Sequence, residues 1–276
     1  MRTINSTKKK NFFLNLNQLI TINKTLFRYW FRSPYNLIFA IIVPGWIISK
    51  QLIIFFLNPS SVIGAQNLII ECAQGITYSI VATGVISAGG MFHQLSNSIL
   101  FSRIKVSSIR FSTAILTLCL FHLSIQLILP SLFFFPLTIW VSIIFSTRIN
   151  FFLLLICLIM TSLISTMIGI LISFISTDIR VTGITLGIIL FALLWSNGQF
   201  YYLTETMKEH SYFLLSLLSP LVYVSDLEFF SLVGLSKLSF FLGRNTQLKE
   251  LIIASASLFS ILFLNVRLLK RKEISL

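Results

Sequence analysis

The side chains that could carry catalytic or metal chemistry are few in this sequence, and their spacing does not bring them together. The three histidines lie in three separate segments, and the three cysteines show neither metal-ligand spacing nor a disulfide framework. These six residues are His93, His122, His210, Cys72, Cys119 and Cys157. The sequence also has no GxxxxGK[ST] phosphate-binding loop and no Ser-centred nucleophile elbow. It therefore predicts no enzyme active site, no metal and no cofactor.

Composition places the chain in a membrane. Of its 276 residues, 56% are hydrophobic and only 11% are charged, and the mean hydropathy is +0.92. A water-soluble domain usually has about 25% charged residues. The net charge of +13 would suit a nucleic-acid partner, but the positions of the charges favour another explanation.

The apolar runs predict an all-α, polytopic membrane protein with six transmembrane helices in a single domain, residues 1–276. Each run has roughly the 17–25 residues that cross a bilayer. The predicted spans are 37–57, 75–95, 111–133, 151–175, 181–197 and 251–269. The long region 198–250 contains short apolar runs around Ser219-Pro220, which predict an external re-entrant or interfacial segment.

Residues 14–32 have a helical period, with Trp30 among the apolar positions on one side. Lys24, Arg28 and Arg32 are spaced four residues apart and form one basic stripe on the other side. Such a helix lies in a membrane surface. Ser33-Pro34 then ends it, because proline cannot continue a helix.

The distribution of Lys and Arg predicts the orientation. Fifteen of the 21 lie on the side of the N-terminus: seven before the first span, three in the 2–3 loop, one in the 4–5 loop and four in the C-terminal tail. Six of the eight acidic residues lie on the other side. The positive-inside rule then puts both termini in the cytoplasm of a multi-pass plasma-membrane protein, which we expect to be bacterial. The net charge thus predicts attraction to anionic lipid and no nucleic-acid role.

Two polar residues inside the spans have two interpretations each. Lys50 is either functional or snorkels to the interface, and His122 is either a helix-packing contact or a group on a transport pathway. Small residues concentrate in the second span, between Gly75 and Gly90. They favour close helix packing, either within one subunit or against a second copy.

The combination of these blocks resembles the permease subunits of ABC transporters, specifically the type 2 exporter permeases. The residues that carry the resemblance are Arg32-Ser33-Pro34 before the first span, the Gly- and Ser-rich second span, Arg103-x-x-Val106 in the loop after it, and Ser219-Pro220 before the last span. Ser108 stands where that family commonly has proline.

The resemblance implies a permease subunit of an ATP-driven exporter, which moves an unidentified substrate and leaves ATP hydrolysis to a separate cytoplasmic ATP-binding subunit. A second permease copy, identical or different, would complete the membrane part. Residues 14–32 look like the elbow helix of such proteins, 211–230 like their external re-entrant pair, and 96–108 like their ATPase-coupling helix. The residues of the coupling loop that would contact the ATPase are Ile99, Leu100, Arg103, Ile104 and Lys105.

Two other classes remain open. An ATP-independent channel or lipid-handling protein would show its activity without an ATPase, for example as ion conductance by the isolated chain. A non-transporting membrane subunit, such as an assembly or immunity factor, would show neither. Co-purification with an ATPase would favour the permease.

Overall fold

Apolar runs of this length form helices because, in lipid, each backbone N–H and C=O must find its partner within the same segment. The computed structural model describes residues 23–24, 26–28, 30–57, 62–96, 111–145, 149–175, 178–196, 217–234 and 245–274, and these residues contain helices and no strand. The predicted all-α membrane fold is thereby confirmed.

Seven helices follow one another in the described part of the chain, and two of them contain a π-helical stretch. Helix α1 is Pro34–Leu37, the π-helix Ile38–Ile42 and Val43–Leu57; α2 is Val62–Ala82, the π-helix Thr83–Ala88 and Gly89–Ser96; α3 is Phe111–Phe145; α4 is Phe151–Ile175; α5 is Ile179–Ser196; α6 is Pro220–Val233; and α7 is Thr246–Ile274. The described residues between 23 and 32, which we call the N-terminal segment, are also helical.

Within the described residues, four helices are long and apolar enough to cross a membrane: Ile38–Leu57, Leu68–Gln94, Phe151–Phe174 and Thr246–Leu268. Helix α3 contributes the shorter apolar stretches Leu116–Ile128 and Phe134–Ile144, and α5 contributes Ile179–Leu194. Six spans as such therefore stay a prediction.

Two helices are longer than the predicted spans. Helix α2 starts at Val62 instead of 75. Its first turns include polar residues that lower the hydropathy without opposing a helix, and Glu71 accepts a hydrogen bond from Gln51 of α1 at 2.6 Å. Helix α3 continues to Phe145 past the predicted end at 133, with Pro136 on an exposed face.

Helix α4 is the centre of the bundle, since α2, α3, α5, α6 and α7 all pack against it. Helix α1 packs mainly against α2. Many α4 side chains that face these neighbours are fully buried, among them Leu154, Leu158 and Ile164. Displacement of any surrounding helix therefore changes contacts with α4.

Each of the two π-helical stretches lies next to residues with a side-chain hydroxyl group. A π-helix leaves carbonyls with poor intrahelical partners and often marks a functional site. In α1 the Phe39 carbonyl accepts a hydrogen bond from Ser79 Oγ of α2 at 2.6 Å. The irregular part of α1 is thereby fastened to α2.

The N-terminal segment packs against helices α2, α3 and α4. Leu26 and Trp30 are buried together with side chains of α2, α3 and α4, including Phe92, Leu118 and Ile170. Asn36 Nδ2 donates to the Trp30 carbonyl at 3.0 Å, which fixes the bend before α1. The remaining residues of the predicted helix, 14–22, lie outside the described residues.

Candidate functional site: contacts along helix α2

Helices α2 and α4 cross with their backbones almost in contact. A Cβ added at Gly169 of α4 would lie 2.6 Å from the Val85 carbonyl oxygen and 2.7 Å from the Gly84 carbonyl oxygen. A Cβ at Gly89 of α2 would lie 2.7 Å from the Gly169 carbonyl oxygen. Only glycine permits this approach, which is how small residues let helices associate in lipid. The contact includes the π-helical stretch Thr83–Ala88.

Polar side chains line the same region of the bundle, in its interior. Ser165 Oγ donates to the Ile80 carbonyl of α2 at 3.5 Å and to the Ser162 carbonyl at 3.1 Å. Ser162 also donates to Gln126 Oε1 of α3, and Gln126 Nε2 donates to Thr166 Oγ1 at 3.4 Å. These hydrogen bonds tie α2, α3 and α4 together where the bilayer offers no competing water.

At the end of the bundle that holds most acidic residues, α2 is bound to the short helix α6. Thr77 Oγ1 donates to Glu228 Oε2 at 2.6 Å. The Glu228 side chain is 4% exposed, and within the described residues its Oε1 has no hydrogen-bond partner. Burial raises the pKa of the Glu228 carboxyl to about 7, and the Thr77 hydrogen bond offsets only part of that rise.

Local sequence fixes the position of α6. Pro220 occupies the first turn, where a missing N–H costs nothing, and Gly234 ends the helix with φ = 77°. Tyr223 Oη donates to the Leu217 carbonyl at 2.8 Å and anchors the chain before the helix.

At the opposite end, α2 is bound to the start of α5. His93 is buried, and its Nδ1 lies 3.2 Å from Thr182 Oγ1. Thr182 Oγ1 also donates to the Asp178 carbonyl at 2.8 Å. Which of the two groups donates in the His93–Thr182 contact depends on the histidine tautomer. This contact lies shortly before residues 97–110, which are outside the described residues.

The predicted site residues are distributed as follows. Ile99, Leu100, Arg103, Ile104 and Lys105 of the coupling loop lie outside the described residues, so their contact with an ATPase stays a prediction. Lys24, Arg28 and Arg32 of the N-terminal segment are exposed, and Trp30 is fully buried. Their interfacial role also stays a prediction.

The two intraspan residues with alternative interpretations differ in burial. Lys50 is exposed, and its Nζ lies 6.0 Å from the centre of the Trp46 ring. His122 is 0% exposed, and neither ring nitrogen has a hydrogen-bond partner among the described residues.

Sequence reasoning missed Gly169, Gln126 and Glu228 as contact residues. Two acidic residues in the apolar run 220–233, Asp226 and Glu228, were the available signal, because a charged side chain in such a run needs a buried partner. For Gly169 the signal was a lone glycine within an apolar span. Among the described residues, no group of three or more His, Cys, Asp and Glu side chains is placed to hold a metal ion.

Comparison with curated proteins gives no match. The profile of the ABC-2 type transporter family matches residues 17–227. That stretch covers most of the chain and includes the N-terminal segment, helices α1 to α5 and most of α6. The chain therefore belongs to the ABC-2 type transporter family, as a permease subunit of an ABC transporter.

Proposed function

We propose that this chain is the membrane-spanning half of an ATP-driven exporter, which works with a separate cytoplasmic ATP-binding subunit and a second permease copy. Permeases of this family generally pair with an ATP-binding subunit and dimerise. The observation that carries the proposal is the family match together with the continuity of α2, which runs from Val62 to Ser96 without interruption.

Helix α2 is proposed to transmit the force. Its last residue, Ser96, is followed by the loop 97–110, where an ATP-binding subunit would dock. Its other half holds α6 through the Thr77–Glu228 hydrogen bond. Closure of the ATP-binding subunits would displace the loop, and α2 would then move relative to α6.

The contact with α4 suits such a movement. At the glycine contact no side chains interdigitate, so this point of the α2–α4 interface offers little resistance to sliding. The π-helical stretch at this point can relax to an α-helix and change the register of the half that follows. A conformational change of this kind needs different contacts in its two states, and Thr77–Glu228 is proposed as the contact made in only one of them.

The proposed orientation puts both termini in the cytoplasm and α6 outside. The buried carboxyls at the α6 end of the bundle, among them Asp226 and Glu228, support it, as does the exposed basic stripe at the other end. Two features stay open in this proposal: the substrate, and whether the second copy is identical.

The coupling loop provides the test. Leu100→Asp and Ile104→Asp place charge on the side of the predicted loop helix that would enter the ATPase, whereas Ser102→Asp adds the same charge at the opposite side at helical spacing. Burial of one Leu or Ile is worth roughly 1.5–3 kcal/mol. Docking should therefore weaken by about 10- to 150-fold in the first two variants.

The measurement is ATP turnover by the reconstituted complex of permease and ATP-binding subunit, together with the amount of permease in the membrane. We expect turnover to fall for Leu100→Asp and Ile104→Asp at unchanged permease levels, and to persist for Ser102→Asp. Unchanged turnover in all three, or no cross-link from loop cysteines to an ATP-binding subunit, would remove the proposal. Ion conductance by the isolated chain would favour the channel instead.

A further inference from the structure

A groove lies between the N-terminal segment and helix α3. Its volume is about 490 Å³, within the range of roughly 300–1,000 Å³ that holds small ligands. The lining residues are mostly apolar: Asn23, Phe27 and Phe31 from the N-terminal segment, and Thr117, Leu120, Phe121, Ser124, Ile125 and Ile128 from α3.

The groove is open to the surroundings of the bundle. Phe27 is 53% exposed, Leu120 59% and Ile128 59%. From Thr117 to Ile128 the groove follows α3 for about 16 Å, at the helical rise of 1.5 Å per residue. This is close to half of the roughly 30 Å hydrocarbon thickness. Its length therefore suits an acyl chain of one leaflet.

Three basic residues are direct chain neighbours of residues that line this groove, about 100° further round the helical segment. Each of the groove-lining residues of the N-terminal segment is followed directly by a basic one: Asn23 by Lys24, Phe27 by Arg28 and Phe31 by Arg32. All three basic side chains are exposed. The Phe27 and Phe31 rings, 4.5 Å apart, form a continuous apolar wall beside this stripe. An apolar channel with cations at its border is complementary to a lipid with a negative headgroup.

A second groove provides an internal comparison. It lies between α1 and α3 and has a volume of about 580 Å³. Its lining is mainly apolar and comes from the stretches 45–56 of α1 and 136–140 of α3. Among its lining residues only Ser49 is followed directly by a basic residue, the exposed Lys50. Size and apolar lining are therefore common to both grooves, and the row of three cations belongs to the one beside the N-terminal segment.

We propose that the groove beside α3 is a binding site for an anionic phospholipid of the cytoplasmic leaflet. Lys24 and Arg28 contact the headgroup phosphate, and one acyl chain lies between Phe27, Phe31 and Leu120. The bound lipid fills the gap between the N-terminal segment and α3, and so holds the segment against the bundle. The inference rests on the proposed function only for the choice of leaflet.

Lipid binding is measured on the purified full chain by native mass spectrometry in mixed micelles with equal amounts of phosphatidylglycerol and phosphatidylcholine. We expect bound phosphatidylglycerol to predominate. Each basic residue contributes about a fivefold preference. Lys24→Gln with Arg28→Gln should therefore lower the preference by about 25-fold, whereas Arg267→Gln, an exposed charge on α7, should leave it unchanged.

The apolar part of the site is tested with two matched serines. Ser124 and Ser260 are both exposed. In each, the hydroxyl donates a hydrogen bond to the backbone carbonyl four residues earlier, with an oxygen–oxygen distance of 2.8 Å. Ser124→Trp fills the groove and should abolish the retained phosphatidylglycerol, while Ser260→Trp on α7 should not.

A photo-crosslinking residue at Leu120 identifies the occupant. A mass increase of one phospholipid supports the proposal. Cross-linking to residues 1–22 of the same chain, or to a second copy, overturns it, as does equal binding of the two lipids or an unchanged preference in the Lys24/Arg28 variant. Because no ATP-binding subunit is present in these measurements, their failure leaves the coupling test unaffected, and failure of that test leaves these results standing.

Discussion

The glycine contact between α2 and α4 can be tested by adding one methyl group. In Gly169→Ala the new Cβ would lie 2.6 Å from one backbone carbonyl oxygen of α2 and 2.7 Å from another. Carbon–oxygen contacts between helices need about 3.3 Å, so the helices have to separate by roughly 0.7 Å. Neither oxygen can move aside independently, because both belong to the backbone.

The expected cost follows from this separation. A radial gap of 0.5–1 Å already loses a quarter to a half of the dispersion energy of each contact across it. Inserted methyl groups in packed interiors cost about 1–3 kcal/mol, and we expect the upper part of that range. Alanine would otherwise favour the helix by about 0.5–1 kcal/mol over glycine, so a loss of stability reverses the sign that helix propensity alone predicts.

Gly90→Ala is the matched control. Gly90 lies in the same helix as Gly89, but a Cβ there meets nothing within 4 Å. The assay is thermal unfolding of the detergent-solubilised protein, in which each kcal/mol corresponds to roughly 2–4 °C. Gly169→Ala should lower Tm by several degrees, while Gly90→Ala leaves it unchanged or raises it. Equal behaviour of the two variants would refute the close approach of α2 and α4.

Three further predictions follow from burial, charge and orientation. Burial raises the pKa of Glu228 from 4.5 to about 7, so the native state holds this proton more tightly than the unfolded state. Tm should therefore fall as pH rises from about 4.5 to 7, and Glu228→Gln should remove that fall. An unaltered pH profile of Tm in the variant would contradict this prediction. The Trp30 side chain is 0% exposed and the Phe27 side chain is 53% exposed. In unfolding measurements Trp30→Ala should therefore destabilise the protein by about 3–5 kcal/mol, and Phe27→Ala by much less. Similar losses would show that the N-terminal segment does not pack on the bundle. The orientation is tested with single cysteines in a protein without its three native cysteines. A cysteine at Leu218, which is 80% exposed, or at Thr204 should react with an impermeant reagent on intact cells, and one at Lys9 or Lys272 should not. The reverse pattern would invert the proposed orientation.

The sequence predicted the fold class because its signals are long and strongly apolar. The runs at 37–57 and 151–175 carry so little polar character that only helices satisfy their backbones. The resemblance to type 2 exporter permeases also led to the family that the profile match shows. The bounds of the helices were harder to predict. The residues of α2 before 75 are partly polar, and the part of α3 after 133 contains Pro136.

The contacts along α2 were not predictable in the same way. Glycines were visible in the second span, but their partner Gly169 lies about 80 residues further along the chain, and one sequence does not show which helices cross. The π-helical stretches have no compositional signature in Ile38–Ile42 or Thr83–Ala88. The Thr77–Glu228 contact joins residues 151 positions apart, and it buries the Glu228 carboxyl between α6 and α2.

The central claim is that α2 moves relative to α6 during the ATP cycle. The most direct measurement joins the two helices through cysteines at Thr77 and Glu228, whose side-chain oxygens lie 2.6 Å apart, in a protein without Cys72, Cys119 and Cys157. A short cross-linker that joins the two thiols through a reducible bond fixes the contact, and ATP turnover by the reconstituted complex is compared before and after reduction of that bond. We predict that turnover is lost in the cross-linked complex and restored by reduction. Undiminished turnover in the fully cross-linked complex would contradict the proposed transmission through α2.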